Sequence, residues 1–318
     1  MRPRVLVTLR IPKSHIVPEL FDLADVVFAT DPAKSMPYAE VLAAIHDFDA
    51  ILNQGELSVD AALIAAAPRL KVVANVAIGT DNLDKKALAI RGIRATNAPD
   101  AFTEATADVA LGLLLATARK LAEGDRYVRT GQWEIDGFHP ARWEGMLLSG
   151  KVLGIVGFGA IGQAVARRAE AFGMRILFNR SQPDPDPRYR ELDRLIAEAD
   201  VVSLHTPLTE STRHLIKAER LASMKPGAIL INLARGKVVD EAALVAALQS
   251  GHLWGAGLDV FENEPAVHPG LLELPNVVLC PHVGGSAVEA RRAARMLASE
   301  NVLRVLRGEE PVAGSAVV

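Results

Sequence analysis

The chain is 318 residues long, half hydrophobic and 23% charged, with a formal net charge of −3. That size and apolar share suffice for two domains with a core each, and a charge so near balance excludes the basic footprint of a nucleic-acid or anionic-membrane binder. One cysteine, Cys280, excludes an intrachain disulfide framework and a CxxC metal site, so no metal is expected and a reducing, cytoplasmic location is.

The N-terminal stretch MRPRVLVTLRIP runs straight into a strand-like pattern, without the apolar run and cleavage site of a secretory signal. Short aliphatic runs then alternate with Ala/Leu/Glu/Arg-rich stretches, which predicts an α/β chain with parallel sheets covered by helices. In the first third the runs are VLVT (5–8), VVFA (26–29), AILN (50–53), KVVAN (71–75) and IRATN (93–97). One long helix is predicted from Thr103 to about Arg129. Its most apolar part, VALGLLLATA (109–118), is about half the roughly 20 residues that cross a bilayer, so it reads as buried in the protein. Strands are next expected in KVLGIVGF, RILFN, DVVSLH, AILINLA, GAGLDVF and NVVLCPH, a set that suits a doubly wound sheet in the order 3-2-1-4-5-6. The prolines of SQPDPDP predict an extended loop. Helical periodicity returns between Ala287 and Leu306, at Ala290, Ala294, Leu297 and Val302, and reads as a return to the first domain. The expected domains are 1–98 with 288–318, and 99–287, with a cleft between the lobes that can hinge.

The stretch VLGIVGFGAIG sets Gly157, Gly159 and Gly162 in G-x-G-x-x-G spacing, after a strand and at the mouth of the helical stretch QAVARRAEAF. The first glycine allows a tight turn, the second lets backbone approach a pyrophosphate, and the third lets helix pack on strand, while the helix N-terminus attracts the anion. In that context the spacing predicts dinucleotide binding. RILFNRSQ then ends where an acid would bind a ribose 2′-hydroxyl and repel a 2′-phosphate; this chain offers Asn179, Arg180 and Ser181. An uncharged amide, a phosphate-gripping guanidinium and a hydroxyl predict NADP(H) as the preferred cofactor, with NAD(H) possible.

The later strands end in INLARGKVVD with Arg235, LDVFENEP with Asp259, Glu262 and Glu264, and CPHVGGS with His282. A cation, an acid and an imidazole at the nicotinamide edge are what carbonyl reduction of a 2-oxo acid needs. The arginine holds carboxylate and carbonyl, the histidine gives a proton as hydride arrives, and the acid keeps the imidazole charged. The residues alone leave the choice among the three acids open. His205, also at a strand end, is assigned a structural or cofactor-edge role.

With GFGAIG, NLARGKVVDEAAL, AGLDVFENEP and PHVGG in view, the chain resembles the D-isomer-specific 2-hydroxyacid dehydrogenases along nearly its whole length. Among them it is most similar to the NADP(H)-using glyoxylate/hydroxypyruvate reductases and the related hydroxyphenylpyruvate reductases. The resemblance implies two Rossmann-like or flavodoxin-like lobes, a doubly wound dinucleotide-binding domain and a smaller substrate-binding domain. It implies a catalytic trio at Arg235, Glu264 and His282. It further implies that Asp259 faces the nicotinamide carboxamide, and that Phe158, Ala160, Ile161, Thr106, Thr206, Pro207, Thr212, Leu233 and Gly284 line the cofactor. The loop NVAIGTDNLD, at Ala77, Ile78 and Gly79, would receive the substrate carboxylate on its backbone N–H groups. A homodimer through the helix near Thr103 to Arg129 is implied as well. Alternatives are reduction of hydroxyphenylpyruvate or 2-ketogluconate and, in another class, a dinucleotide-sensing corepressor.

Overall fold

The aliphatic runs fold into two wholly parallel sheets. A computed structural model describes residues 2–55 and 57–318. One compact unit comprises Met1–Phe102 with Ser286–Val318, the other Thr103–Gly285.

The first unit holds β1 (Arg4–Val7), β2 (Asp25–Phe28), β3 (Ala50–Asn53), β4 (Val72–Asn75) and β5 (Arg94–Thr96), in the order β2-β1-β3-β4-β5. β3 and β4 are buried along their whole length, as continuous aliphatic runs demand in a sheet covered on both faces. The helix Val288–Leu306 returns to pack on β3 and β4.

The second unit holds β6 (Val152–Val156), β7 (Arg175–Asn179), β8 (Val201–Leu204), β9 (Ala228–Asn232), β10 (Leu253–Leu258) and β11 (Val277–Leu279), in the order β11-β10-β9-β8-β6-β7. Separate apolar clusters lie on its two faces, so this sheet is doubly wound.

The expected order 3-2-1-4-5-6 is corrected here. β8, the third run of this unit, pairs with β6 and β9. The place outside β7 is taken by one parallel bridge between Phe178 and Tyr189, held by Phe178 N–H to the Arg188 carbonyl (3.1 Å) and Arg190 N–H to the Phe178 carbonyl (2.9 Å). A single bridging residue leaves no alternating run for pattern reading to find. When the bridge is counted as the third member, the order from that edge becomes 3-2-1-4-5-6-7. β8 and His205 at its end therefore sit beside β6, at the switch point of the sheet, and not in an outlying half.

The single helix expected over Thr103 to Arg129 is also corrected: helices Thr103–Ala118 and Leu121–Arg129 are separate. Lys120 between them has φ +54, the left-handed conformation usual for a glycine after a helix end. The loop at Gly145–Met146 crosses this end, where Met146 N–H takes the Ala118 carbonyl at 2.8 Å. Lys120 Nζ in turn donates to the Arg142 carbonyl (2.9 Å) and lies over the Trp254 ring. Tertiary contacts thus stop a helix that no glycine or proline marks. Among the described residues no helix is long and apolar enough to cross a membrane.

Candidate active site

The glycine turn joins β6 to the helix Ala160–Ala171. Gly157 has φ +94, and a Cβ on it would lie 2.5 Å from the His205 carbonyl oxygen and 2.8 Å from Thr206 N. A Cβ on Gly162 would lie 2.3 Å from the Gly157 carbonyl oxygen, so turn and helix touch backbone to backbone. Gly159, the N-cap, has nothing within 4 Å of its Cβ position. The ground before the helix start therefore stays open, and the N–H groups of the first turn, including Ala160 and Ile161, have no acceptor within the helix. Phe158 stacks on Phe178 with centroids 3.9 Å apart, which fixes the turn. The residues present fit a dinucleotide pyrophosphate.

After β8, Thr212 Oγ1 donates to the Pro207 carbonyl (2.7 Å) and accepts from Thr209 N–H (2.7 Å), closing a compact turn that begins at Thr206 beside Gly157. His205 has Nε2 2.8 Å from Ser203 Oγ, and its Nδ1 is buried with no partner among the described residues. Burial pulls this imidazole down to about 4, so it is neutral near pH 7.

At the end of β7 the predicted residues divide. Asn179 Nδ2 donates to the Arg190 carbonyl at 2.9 Å and so holds the following loop. Arg180 grips Asp184 of the proline-rich loop at 2.7 Å with half its side chain exposed, and Ser181 is exposed. The Asp186 N–H and then Arg180 keep Asp184 below the usual carboxylate range.

Three strand ends carry the predicted trio. Arg235 follows β9, Glu264 lies in the loop after β10, and His282 follows β11. His282 Nδ1 meets Glu264 Oε2 at 2.8 Å, and Glu264 Oε1 accepts from Phe261 N–H at 2.9 Å. The hydrogen bond to Glu264 is the largest cause of a raised His282 pKa, outweighing partial burial, while Glu264 is held low. Arg235 donates to the Ala234 carbonyl (2.8 Å) and lies near enough for its charge to act on both partners. His282 has φ +53, a conformation rare outside glycine and concentrated at functional sites. Its N–H is held by the Asp259 and Cys280 carbonyls at 2.9 and 3.1 Å.

The other two acids have different employment. Asp259, 2% exposed, accepts from Val283 and Gly284 N–H, both at 2.7 Å, and burial pushes its carboxyl up. A Cβ on Gly284 would fall 2.9 Å from Asp259 Oδ2, with Thr106 and Leu233 within 3.6 Å, so these four predicted residues form one cluster. Glu262 pairs with His214 Nε2, and its N–H donates to Glu241 Oε1 at 2.7 Å. His214, at φ +47, also donates its N–H to the Lys237 carbonyl at 2.8 Å. Gly236 meets the same loop, since a Cβ there would lie 1.8 Å from the Phe261 carbonyl carbon. His214, Gly236 and Glu241 thus clamp the loop of Arg235 to the loop of Glu264. Gly236 and Glu241 lie in the NLARGKVVDEAAL stretch, but its pattern gave no sign of this work, which is done largely through backbone contacts between distant segments.

In the first unit, the loop after β4 has its carbonyls fixed. The Ala77 carbonyl accepts from Ala98 N–H (2.9 Å), Ile78 from Asn97 Nδ2 (2.8 Å) and Gly79 from Asn75 Nδ2 (3.4 Å).

The chain is similar to known proteins over almost its whole length. The family model for the D-isomer specific 2-hydroxyacid dehydrogenase NAD binding domain matches residues 111–284. Glyoxylate reductase of Thermococcus onnurineus is 46% identical over 98% of this chain and 95% of its own. The crystal structure of a Thermus thermophilus protein superposes with a TM-score of 0.91 at 44% identity, covering 99% of this chain and 100% of that one. The NADPH-dependent glyoxylate/hydroxypyruvate reductase of Sinorhizobium meliloti, solved with NADP and malonate, has a TM-score of 0.88 at 38% identity, covering 100% and 97%.

Proposed function

From the D-isomer specific 2-hydroxyacid dehydrogenase family, to which this chain belongs, we propose that it reduces small 2-oxo acids, glyoxylate and hydroxypyruvate first, to D-2-hydroxy acids with NADPH. The observation that carries this reading is the 2.8 Å pair of His282 and Glu264 within the field of Arg235. The names of the relatives from Thermococcus and Sinorhizobium support the substrate class and the cofactor.

When bound, the nicotinamide cofactor supplies the hydride. Gly157, Gly159, Ala160, Ile161 and Gly162 would hold its pyrophosphate, and Arg180 with Ser181 its 2′-phosphate, once Arg180 releases Asp184. Arg235 orients the substrate and polarises its carbonyl, and the Ala77–Gly79 loop of the first unit offers N–H groups suited to a carboxylate. His282 has Nδ1 engaged with Glu264, so Nε2 is the nitrogen that gives its proton to the substrate oxygen. Glu264 holds the imidazolium loaded near neutral pH, because pairing favours the charged form.

The expected dimer contact falls on the second half of the Thr103 to Arg129 stretch and on the segment that follows it. The helix Thr103–Ala118 spends its apolar side chains on the core of its own unit. Exposed apolar side chains concentrate instead at Leu121, Val128, Trp133, Ile135, Phe138 and Leu147, and these would face a second copy. A cytoplasmic location accompanies this reading.

The test is a panel of glyoxylate, hydroxypyruvate, hydroxyphenylpyruvate and 2-ketogluconate with both reduced cofactors. The reading expects NADPH to exceed NADH and the two small acids to exceed the larger ones. A clear preference for NADH, or for an aromatic or sugar acid, contradicts it.

A further inference from the structure

Glu241 opens the helix Glu241–Gln249 directly after its N-cap, Asp240, a place where an acid ordinarily faces water beside the free N–H groups of the first turn. Here it is 5% exposed. A carboxylate taken out of water needs donors, and burial pushes this carboxyl above the usual range. The donors come from another segment. Oε1 accepts from Glu262 N–H at 2.7 Å, Glu241 N–H returns to Glu262 Oε2 at 3.4 Å, and the His268 N–H acts on the Glu241 carboxyl as a second backbone donor.

Glu262 and His268 stand on either side of one turn. Asn263 and Ala266 form an antiparallel bridge, with Ala266 N–H donating to the Asn263 carbonyl at 2.9 Å, so Glu264 and Pro265 are the two central residues. Each flank has one further hold of its own. On the leading side Glu262 pairs with His214 Nε2, and on the trailing side His268 caps the short helix Pro269–Leu272, its Nδ1 accepting from Gly270 N–H at 3.1 Å. Neither of those holds spans the turn, whereas Glu241 reaches both flanks.

The turn presents the carboxylate of Glu264, which divides its oxygens between Phe261 N–H at 2.9 Å and His282 Nδ1 at 2.8 Å. Hydrogen bonds weaken steeply with misalignment, so a turn free to tilt would loosen the pairing with His282 without removing either partner.

We propose that Glu241 is a positioning residue for the reduction: by holding both flanks of the turn, it keeps Glu264 aligned on His282. This rests on the reductase reading above, and it gives the buried acid a part in the chemistry beyond joining two loops.

The test follows the His282 imidazole by NMR titration of histidine-labelled protein, its signal assigned with His282→Asn, together with kcat and KM for glyoxylate. The proteins compared are the wild type, Glu241→Gln, Glu241→Ala and Leu244→Ala. Gln keeps one acceptor oxygen and Ala none, while Leu244, buried in the same helix, gives a destabilised protein with the carboxylate intact. Arg235 and Asp259, which also act on His282, are untouched by all three. The His282 pKa should fall by about half a pH unit in Glu241→Gln and about one in Glu241→Ala, the latter a tenfold loss of proton affinity. In both, kcat should fall about tenfold while KM for glyoxylate changes less than about threefold. Leu244→Ala should lower thermal stability and leave the titration at the wild-type pH. A titration unmoved in the Glu241 variants, or moved as far by Leu244→Ala, overturns the proposal. If only one Glu241 variant folds, it decides; if neither folds, Glu241 is a residue of the fold and the proposal fails. If the wild type reduces no 2-oxo acid, the reductase reading fails separately, and the titration still decides whether Glu241 holds Glu264 on His282.

Discussion

Glu262 and Glu264 stand two residues apart on one loop and each pairs with a histidine, yet their surroundings differ. Glu262 is wired to His214 and to Glu241, and His214 also takes the Lys237 carbonyl, so both partners are fixed through backbone. Glu264 holds Phe261 N–H on one oxygen and His282 on the other, and the His282 side chain is 52% exposed against 39% for His214. The chemistry of the two pairs is the same. On the proposed mechanism His282 trades a proton, whereas His214 ties two loops together.

The largest test of that contrast removes each imidazole. His282→Ala is expected to lower kcat for reduction by about 10³-fold or more while dinucleotide binding, followed by fluorescence titration, stays near wild type. His214→Ala should lower thermal stability and cost kcat only about tenfold, because it loosens the loops without removing the acid. Equal losses of kcat would erase the distinction. Gly236→Ala attacks the clamp from the backbone side. The added methyl falls on the Phe261 carbonyl, so a loss of about 3 kcal/mol is expected in denaturant unfolding; an unchanged transition would show that the two loops do not depend on this contact.

A third pair, Arg180–Asp184, sharpens the comparison because it is meant to exchange partners. Arg180→Ala should raise KM for NADPH about 30-fold, the equivalent of one charge-assisted contact of about 2 kcal/mol, and leave NADH nearly unchanged. Asp184→Asn should have the smallest effect, lowering KM for NADPH about two- to threefold, since an exposed ion pair contributes less than about 1 kcal/mol. A rise in KM for NADPH in that variant would mean that Asp184 assists binding instead of competing with it.

Much of this was readable before any coordinates. The aliphatic runs fall on the strands, and Gly157 and Gly162 are where backbone meets backbone. What the sequence hid follows one rule. The Tyr189 bridge is too short to have a period, the break at Lys120 comes from a loop about 25 residues onward pressing on a helix end, and the His214 and Gly236 clamps join segments that share no motif. Arg295 reads as one more charge on a helix, and only packing shows that it is buried against Gln54 and His15. Local pattern reveals elements, whereas contacts between distant segments decide where elements stop and which charge works.

The most direct test of the central claim is the pH profile of kcat/KM for NADPH-driven reduction in the wild type and in Glu264→Gln. On the proposed mechanism reduction needs His282 protonated, so activity is expected to hold below the raised imidazole pKa and to fall as pH rises through it. The hydrogen bond to Glu264 is the largest cause of that rise above the ordinary 6.5. Replacing the carboxylate should therefore move the alkaline limb to lower pH, together with a lower plateau. A limb at the same pH in both proteins would contradict the assignment of His282 as the acid and Glu264 as the group that keeps it charged.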